Sequence, residues 1–196
     1  MEKPNRWLYR GGVIRALICL TLLAAQVLAG PAALNLKGER VAPLEDSKSK
    51  AVVLFFLGVD CPISNSYAPT YKRLAEQFKE VRFFAVYPNA DETEAVIAKH
   101  LKEYKLPLEA LRDVRHELVK AAGAKTTPEA AVFLPDGKLV YRGRVDNRHV
   151  SFGKKRPAAT EHDLRDVLAA IVAGKAVEFR AMPSVGCSIP PLEGKP

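Results

Sequence analysis

Cysteine is scarce in this chain of 196 residues, which contains three cysteines and four histidines. No two cysteines have Cys-x-x-Cys spacing and no two histidines have His-x-x-x-His spacing, so a zinc site is not expected. The sequence also has no glycine-rich phosphate loop, no Ser-His-Asp hydrolase elbow and no haem-attachment motif. These absences argue against nucleotide-dependent enzymes, serine hydrolases and cytochromes, and no cofactor is expected.

The chain is basic, with 30 Lys and Arg residues against 22 Asp and Glu residues and a formal net charge of +8. Neither a basic helix nor a stripe of Arg and Lys interleaved with aromatic residues is present. Nucleic acid is therefore not an expected partner, and the excess charge indicates a solvated, lysine-rich surface.

Residues 1–29 have the pattern of a signal peptide. Three basic residues within the first ten precede an apolar run over 16–28, which is shorter than the roughly 20 apolar residues of a membrane span. Small residues before position 30 predict cleavage after Ala29 and export to the periplasm or the extracellular space. The alternative is an uncleaved anchor that attaches the protein to the membrane through residues 12–29.

Cleavage changes the cysteine count. Cys19 lies inside the apolar run and is lost, which leaves Cys61 and Cys187 in a compartment that permits disulfides. The spacing of 126 residues does not by itself show whether the two cysteines meet.

The order of elements predicts an α/β architecture, with a central mixed sheet and helices on its faces. The expected domain covers residues 30–176, and residues 177–196 form an extended tail that carries Cys187. The predicted elements are a strand at 51–57, a helix at 62–79 kinked at Pro69, a strand at 81–87, a helix at 92–104 capped by Asp91, a short helix at 116–122, a hairpin of strands 130–134 and 139–145, a polar loop at 149–156, and a helix at 161–173 capped by Thr160.

Cys61 lies between a buried strand and the start of a helix. Free backbone N–H groups and the helix dipole favour an anion there, so this position is expected to lower the pKa of a thiol and make it nucleophilic. Asp60 opposes this effect through like-charge repulsion, or relays a proton through water.

Segment 56–69 (FLGVDCPISNSYAP) resembles the active-site stretch of thioredoxin-like proteins, with Cys61 matching the attacking cysteine. Segment 126–128 (TTP) resembles the loop in which Thr127 precedes a cis-proline, Pro128, facing that cysteine. Segments 141–147 (YRGRVDN) and 186–189 (GCSI) are similar to the peroxiredoxin-like redoxin branch, the AhpC/TSA-like proteins. The resemblance implies a thioredoxin-like fold and an exported thiol oxidoreductase with a peroxide or disulfide substrate and a thiol reductant.

The chain departs from both parent patterns. Ser64 stands where a dithiol oxidoreductase has its second cysteine, and Gly58 stands where a peroxiredoxin has a Thr or Ser that holds the peroxide. Whatever Cys61 does, it does alone or with Cys187.

Three hypotheses remain open from the sequence. In the first, Cys61 attacks a peroxide or a disulfide and Cys187, on the tail, resolves the product. In the second, Cys61 acts alone, with Ser64 as hydrogen-bond donor to its thiolate. In the third, a permanent Cys61–Cys187 bridge pins the tail of a non-catalytic binding module.

Two weaker candidates complete the prediction. Arg144, on a strand near the site, would stabilise a thiolate or a developing oxyanion, although a solvent-facing charge is the more common role for such a residue. A copper site built from Cys61, Cys187 and a histidine is a minor alternative.

Overall fold

The apolar segment 51–57 lies at the centre of a mixed β-sheet, in a computed structural model that describes residues 30–46 and 48–192. Its strand is buried at every position, because β-branched and aromatic side chains cover both faces of the sheet. The strands are, in chain order, β1 (Ala33–Leu34), β2 (Arg40–Val41), β3 (Ala51–Phe56), β4 (Val81–Tyr87), β5 (Glu109–Arg112), β6 (Thr126–Thr127), β7 (Glu129–Phe133), β8 (Leu139–Gly143), β9 (His149–Ser151), β10 (Lys154–Lys155), β11 (Arg180–Ala181) and β12 (Cys187–Ser188).

Eight of these strands pair in the order β11-β8-β7-β3-β4-β5-β1-β2. Strand β3 is parallel to β4, and β4 is parallel to β5, through crossovers that carry helices. On its other side β3 is antiparallel to β7, which continues into β8 through a tight hairpin. The predicted central mixed sheet is confirmed.

Helices cover both faces of the sheet. One face of β3 presents Val53 and Phe55 to a core that includes residues of α1, α2, α3 and α5, and the other presents Leu54 to a core that includes Leu118 of α4. The helices are α1 (Pro62–Ser66), α2 (Ala68–Gln77), α3 (Glu94–Glu103), α4 (Glu117–Ala122) and α5 (Asp163–Val172), with a short 3-10 helix at Pro43–Glu45.

The kink predicted at Pro69 is a complete break between α1 and α2 at Tyr67. Pro69 has no N–H to donate to the carbonyl of residue 65, and its ring would collide with that carbonyl, so an unbroken helix cannot form. The break leaves a single-turn helix directly after Cys61.

Both predicted helix caps are wrong. Thr93, not Asp91, is the N-cap residue of α3 and accepts a hydrogen bond from the first turn. Helix α5 begins at Asp163 rather than at position 161, because the Thr160 hydroxyl is bound by the side chain of Asn147 at 2.8 Å.

The polar loop predicted at 149–156 forms a small antiparallel hairpin of β9 and β10 instead. Its ends are joined by the Arg156 N–H, which donates to the Arg148 carbonyl at 2.8 Å. The tail is extended, as predicted, and carries β11 and β12.

The predicted signal peptide, residues 1–29, lies outside the described residues. Within residues 30–46 and 48–192, no helix combines the length and the apolar character that crossing a membrane requires.

Candidate active site

Cys61 is the N-cap residue of α1 and follows the central strand β3 after four residues. Pro62 occupies the first helical position, where its missing N–H is not needed. The Cys61 side chain is 3% exposed, and its thiol donates a hydrogen bond to the Thr127 carbonyl oxygen at 3.0 Å. The sulfur therefore lies at the helix start, against the loop predicted to face it.

The Thr127–Pro128 peptide bond is cis, as the resemblance to thioredoxin-like proteins implies. Strand β6, which contains Thr127, pairs antiparallel with β12 of the tail, so that Cys187 lies opposite Thr127. The Thr127 hydroxyl also donates to the Cys187 carbonyl at 3.5 Å. The tail is thus held as a strand directly beside the loop that contacts Cys61.

This pairing brings the two cysteines together. The Cys187 thiol donates to the Cys61 sulfur at 3.0 Å, and both thiols are free. The sequence left open whether these residues, 126 positions apart, meet. The register in which β12 pairs with β6 brings them together.

Gly186 makes the close approach of the tail achievable. A Cβ atom at this position would collide with the carbonyl oxygen of Thr127 and would lie 3.0 Å from the nitrogen of Pro128. A side chain at Gly186 would therefore push the tail, and Cys187 with it, away from the site.

The two thiols differ in acidity. Burial raises the pKa of the Cys61 thiol, but hydrogen bonds from Cys187 and from the Ser64 backbone N–H and hydroxyl outweigh burial, so that this pKa lies below its ordinary value of 9.0. Burial, together with the adjacent Cys61 sulfur, raises the pKa of Cys187 to about 11. Cys61 is therefore the thiol that ionises first.

The Ser64 hydroxyl is buried and has no hydrogen-bond partner among the described residues. It lies close enough to the Cys61 sulfur to turn toward it and donate when the thiolate forms, which is how it lowers the pKa of Cys61.

Glu92 lies in the turn after β4 and is 8% exposed. Its Oε1 atom accepts a hydrogen bond from the Val59 N–H at 2.7 Å, whereas Oε2 has no hydrogen-bond partner within residues 30–46 and 48–192. Burial raises the pKa of Glu92 to about 7; the Val59 bond opposes this shift and the charge of Asp60 adds to it. The carboxyl group therefore changes protonation near neutral pH.

A cavity of about 190 Å³ joins these groups. Its lining includes Cys61, Cys187, Glu92, Asp60 and Thr127. Two thiols of different acidity and one carboxyl group with a raised pKa therefore share the cavity.

A hydrogen-bonded network supports the loop that leads into Cys61. The Asn65 amide donates to the Val59 carbonyl at 2.8 Å, and its oxygen lies 2.8 Å from Nε2 of His100. Nδ1 of His100 lies 2.9 Å from the Tyr87 hydroxyl. Burial lowers the pKa of His100, so its ring is neutral at pH 7, donates from Nε2 and accepts at Nδ1.

A second network holds the end of α1. The Tyr67 hydroxyl donates to the Asp146 carboxylate at 2.7 Å, and the Arg148 guanidinium lies 4.5 Å from the centre of the Tyr67 ring. Nε2 of His149 lies 2.9 Å from the Ser66 hydroxyl. These contacts fix the single-turn helix between the two networks.

Most of the residues predicted from the sequence converge on this site. Thr127 and Ser64 contact Cys61, Pro128 follows Thr127 through the cis bond, and Asp60 is an exposed residue at the cavity. Arg144 is placed differently: its guanidinium is engaged by Asp163, at 2.7 Å, and by Glu161.

Sequence reasoning missed Glu92, Asn65, His100 and Tyr87. Glu92 had a usable signal, since it closely follows a strand predicted to lie parallel to β3, and the carboxyl ends of parallel strands meet at one edge of the sheet. In the sequence His100 is only one of four scattered histidines, because its partners, Tyr87 and Asn65, lie on other elements.

Within the described part of the chain, no group of three His, Cys, Asp or Glu side chains is arranged to hold a metal ion. Among these residues no histidine lies with Cys61 and Cys187 in such a group, so the structure does not support the copper site that was a minor alternative from the sequence.

Comparison with known proteins identifies the family and the fold. A family model described as the AhpC/TSA family matches residues 27–142. A curated relative, the thiol-disulfide oxidoreductase ResA of Bacillus thuringiensis subsp. konkukian, is 28% identical over 106 residues, which are 54% of this chain. The match spans 61% of that relative's length.

Solved structures are similar over most of the chain. An uncharacterized conserved protein of Geobacillus kaustophilus has a TM-score of 0.72 and 32% identity, over 85% of this chain and 92% of the other. A secreted disulfide oxidoreductase of Mycobacterium tuberculosis, homologous to E. coli DsbE, has a TM-score of 0.50 and 22% identity, over 73% of this chain and 94% of the other. The second likeness concerns the fold alone, and the thioredoxin-like fold implied by the sequence is confirmed.

Proposed function

The chain belongs to the AhpC/TSA family, and from that premise we propose that it is an exported thiol–disulfide oxidoreductase in which Cys61 attacks and Cys187 resolves. The observation that carries the proposal is the pair of free sulfurs 3.0 Å apart, one with a lowered pKa and the other with a raised pKa. An attacking thiol must ionise readily, whereas a resolving thiol must stay protonated until it is needed.

The reaction has two exchange steps. The Cys61 thiolate attacks one sulfur of a substrate disulfide, which forms a mixed disulfide with Cys61 and releases the first thiolate. Cys187 then loses its proton and attacks the Cys61 sulfur, which forms the Cys61–Cys187 bond and releases the second thiolate. Two electrons pass from the cysteine pair to the substrate, and a thiol reductant restores the pair.

A disulfide is a better fit than a peroxide as the substrate. The hydroxyl that a peroxiredoxin has three residues before its cysteine is absent, since Gly58 occupies that place. The relative named for an activity is a thiol-disulfide oxidoreductase. The tail also shows that the edge of β6 accepts an extended strand that places a sulfur against Cys61.

Export is part of the proposal. It rests on the signal-peptide pattern of residues 1–29 and on the likeness in fold to a protein described as secreted. The domain boundaries proposed with it are a signal peptide over 1–29, a redox domain over 30–176 and a tail over 177–196.

The function is tested by reacting the reduced full chain, in which Cys19 is replaced by Ser, with an aromatic disulfide (Ellman's reagent) and, separately, with hydrogen peroxide. We expect two aromatic thiolates per chain from the disulfide, and a mass spectrum that shows a Cys61–Cys187 bond. Cys61→Ser should abolish both releases, and Cys187→Ser should stop at a trapped mixed disulfide.

Other outcomes identify the remaining hypotheses. Faster reaction with peroxide than with the disulfide would assign Cys61 to peroxide reduction. Normal turnover by Cys187→Ser would make Cys61 a monothiol. A bridge that resists mild reductant, with no reactive thiol at neutral pH, would show a structural disulfide in a non-catalytic domain.

A further inference from the structure

The second exchange step needs a proton acceptor for Cys187, and the two cysteines do not provide one. Cys187 must give up a proton before it attacks, yet burial and its neighbour raise its pKa to about 11. Once Cys61 is held in a mixed disulfide its negative charge is gone, but the burial of Cys187 remains. At neutral pH a half-buried thiol with a raised pKa needs a base close by.

Glu92 is the buried carboxylate of the shared cavity. It is 8% exposed, and one of its two oxygens has no hydrogen-bond partner among the residues that the structure describes. Leaving a carboxylate oxygen without a hydrogen bond at this depth costs free energy, so its presence calls for an explanation. The same cavity of about 190 Å³ is lined by Cys187, Cys61 and Glu92.

Gly58 borders both the carboxyl group and the cysteine. A Cβ atom at position 58 would lie 3.2 Å from the Thr127 hydroxyl oxygen, 3.4 Å from the Cβ of Cys61 and 3.9 Å from Oε1 of Glu92. The glycine that departs from the peroxiredoxin pattern therefore lies where the residues of the cavity meet most closely.

The groups around Glu92 shift the pKa of its carboxyl group without neutralising its charge in an ion pair. Asp60 carries a like charge and raises the pKa of Glu92, while Cys61 and Cys187 face it across the cavity. The Tyr87 hydroxyl is kept neutral by burial and by the Glu92 charge, which raises its pKa. The guanidinium of Arg112 donates to the Glu92 backbone carbonyl and is paired with Glu94 rather than with the Glu92 carboxylate.

We propose that Glu92 is the proton acceptor that activates Cys187 for the second step of exchange. This role rests on the proposed function. The Cys187 proton passes to the Glu92 carboxylate, the Cys187 sulfur bonds to the Cys61 sulfur, and the bond between Cys61 and the substrate breaks. The electron pair of the broken bond leaves on the substrate thiolate, and the proton returns from Glu92 to solvent.

Glu92 is better placed for this role than Asp60, the carboxylate first considered from the sequence. Asp60 is exposed to solvent, whereas Glu92 is buried beside the cavity that the two sulfurs line. Glu92 is buried and changes protonation at about pH 7, which suits a group that must accept and return a proton under physiological conditions.

The test separates the two steps by following thiolate release from Ellman's reagent in a stopped-flow spectrophotometer, in the full chain carrying Cys19→Ser. The first release reports attack by Cys61, and the second reports attack by Cys187. For Glu92→Gln we expect the second release to slow at least about tenfold at neutral pH, since proton transfer by a side chain contributes about 10²–10⁴-fold to rate. The rise of the second rate through about pH 7 should disappear.

Two further variants make the result specific. Glu103→Gln removes an exposed carboxylate that lines a different cavity and should leave both releases unchanged. Asp60→Asn removes the like charge beside Glu92, so the pH at which the second rate rises should move downward. A merely structural role for Glu92 would not produce that movement.

The proposal is overturned if Glu92→Gln retains the wild-type second rate and its pH dependence, or if both releases slow equally with a loss of helical signal. If Glu92→Gln does not fold, an unmoved pH profile in Asp60→Asn overturns it instead. The proposed function fails separately, if Cys187→Ser still gives the second release or Cys61→Ser still gives the first.

Discussion

Replacing Cys187 by alanine should raise the pKa of Cys61, because the tail supplies a thiol donor to the attacking sulfur. Burial alone raises the pKa of Cys61, and the hydrogen bond from the Cys187 side chain is the largest contribution that lowers it. Without this donor, the Ser64 hydroxyl and backbone N–H remain as the principal stabilisers of the thiolate.

The size of the effect follows from the strength of one hydrogen bond to a charged group, about 1.5–3 kcal/mol. One pKa unit corresponds to about 1.4 kcal/mol, which gives an upper range of about one to two units. Solvent that reaches the sulfur past the smaller side chain would recover part of this loss, so we expect a rise of about one unit. At a pH below both pKa values the thiolate fraction then falls about tenfold, while the more basic thiolate is intrinsically more nucleophilic, so the first exchange rate measured there falls about threefold.

The assay is an ultraviolet titration of thiolate absorbance in variants that keep Cys61 as their only cysteine, Cys19→Ser with Cys187→Ala and Cys19→Ser with Cys187→Ser. Serine retains a hydroxyl donor at position 187, so its Cys61 pKa should stay lower than in the alanine variant. Equal pKa values in the two variants would refute the reasoning, because they would show that no donor from position 187 reaches the thiolate.

Three further predictions follow from the same contacts. Glu92 has a raised pKa, so its contribution to the stability of the folded chain is fully present below about pH 4.5 and is lost as the pH rises toward and through about 7, a loss of about 3 kcal/mol; urea unfolding of Glu92→Gln should not show this loss. Gly186→Val should dislodge the tail and slow formation of the Cys61–Cys187 bond more than tenfold in the two-release assay, with Ala181→Val, at an exposed position of β11 in the same tail, as a control. Arg144→Ala should lower the free energy of unfolding by about 2 kcal/mol, because it removes a partner of buried Asp163, and should leave the pKa of Cys61 unchanged; a raised Cys61 pKa in this variant would restore the role first predicted for Arg144.

The elements around Cys61 could be predicted from sequence because their causes are local. An apolar run of seven residues is a buried strand in almost any α/β sheet, and Pro62 and Pro69 act on the backbone at their own positions. The caps could not be predicted as well. Thr160 has a good capping side chain, but Asn147, which is distant in sequence, binds its hydroxyl and the helix starts later.

The hairpin at 149–156 was missed for a related reason. Val150 and Phe152 have strand propensity, but both are exposed and stand among basic and polar residues, and the hairpin is tied to the rest of the site by contacts of His149 with Ser66 and of Arg148 with the ring of Tyr67. Strand formation here depends on neighbours more than on the residues themselves.

The position of Cys61 at a helix start was readable from residue type and spacing, because it depends on a few adjacent residues. The cis-proline at position 128 and the serine in place of a second cysteine came instead from the resemblance to thioredoxin-like proteins. The proximity of Cys61 to Cys187 could not be read from the sequence, since it depends on the pairing of β12 with β6 and on the space that Gly186 leaves. The role proposed for Glu92 likewise arises only when parallel strands bring a turn 31 residues downstream to the same sheet edge, where burial changes the acidity of its carboxyl group. Acidity and proximity are set by surroundings, and in this chain the surroundings of the two sulfurs are assembled by long-range contacts.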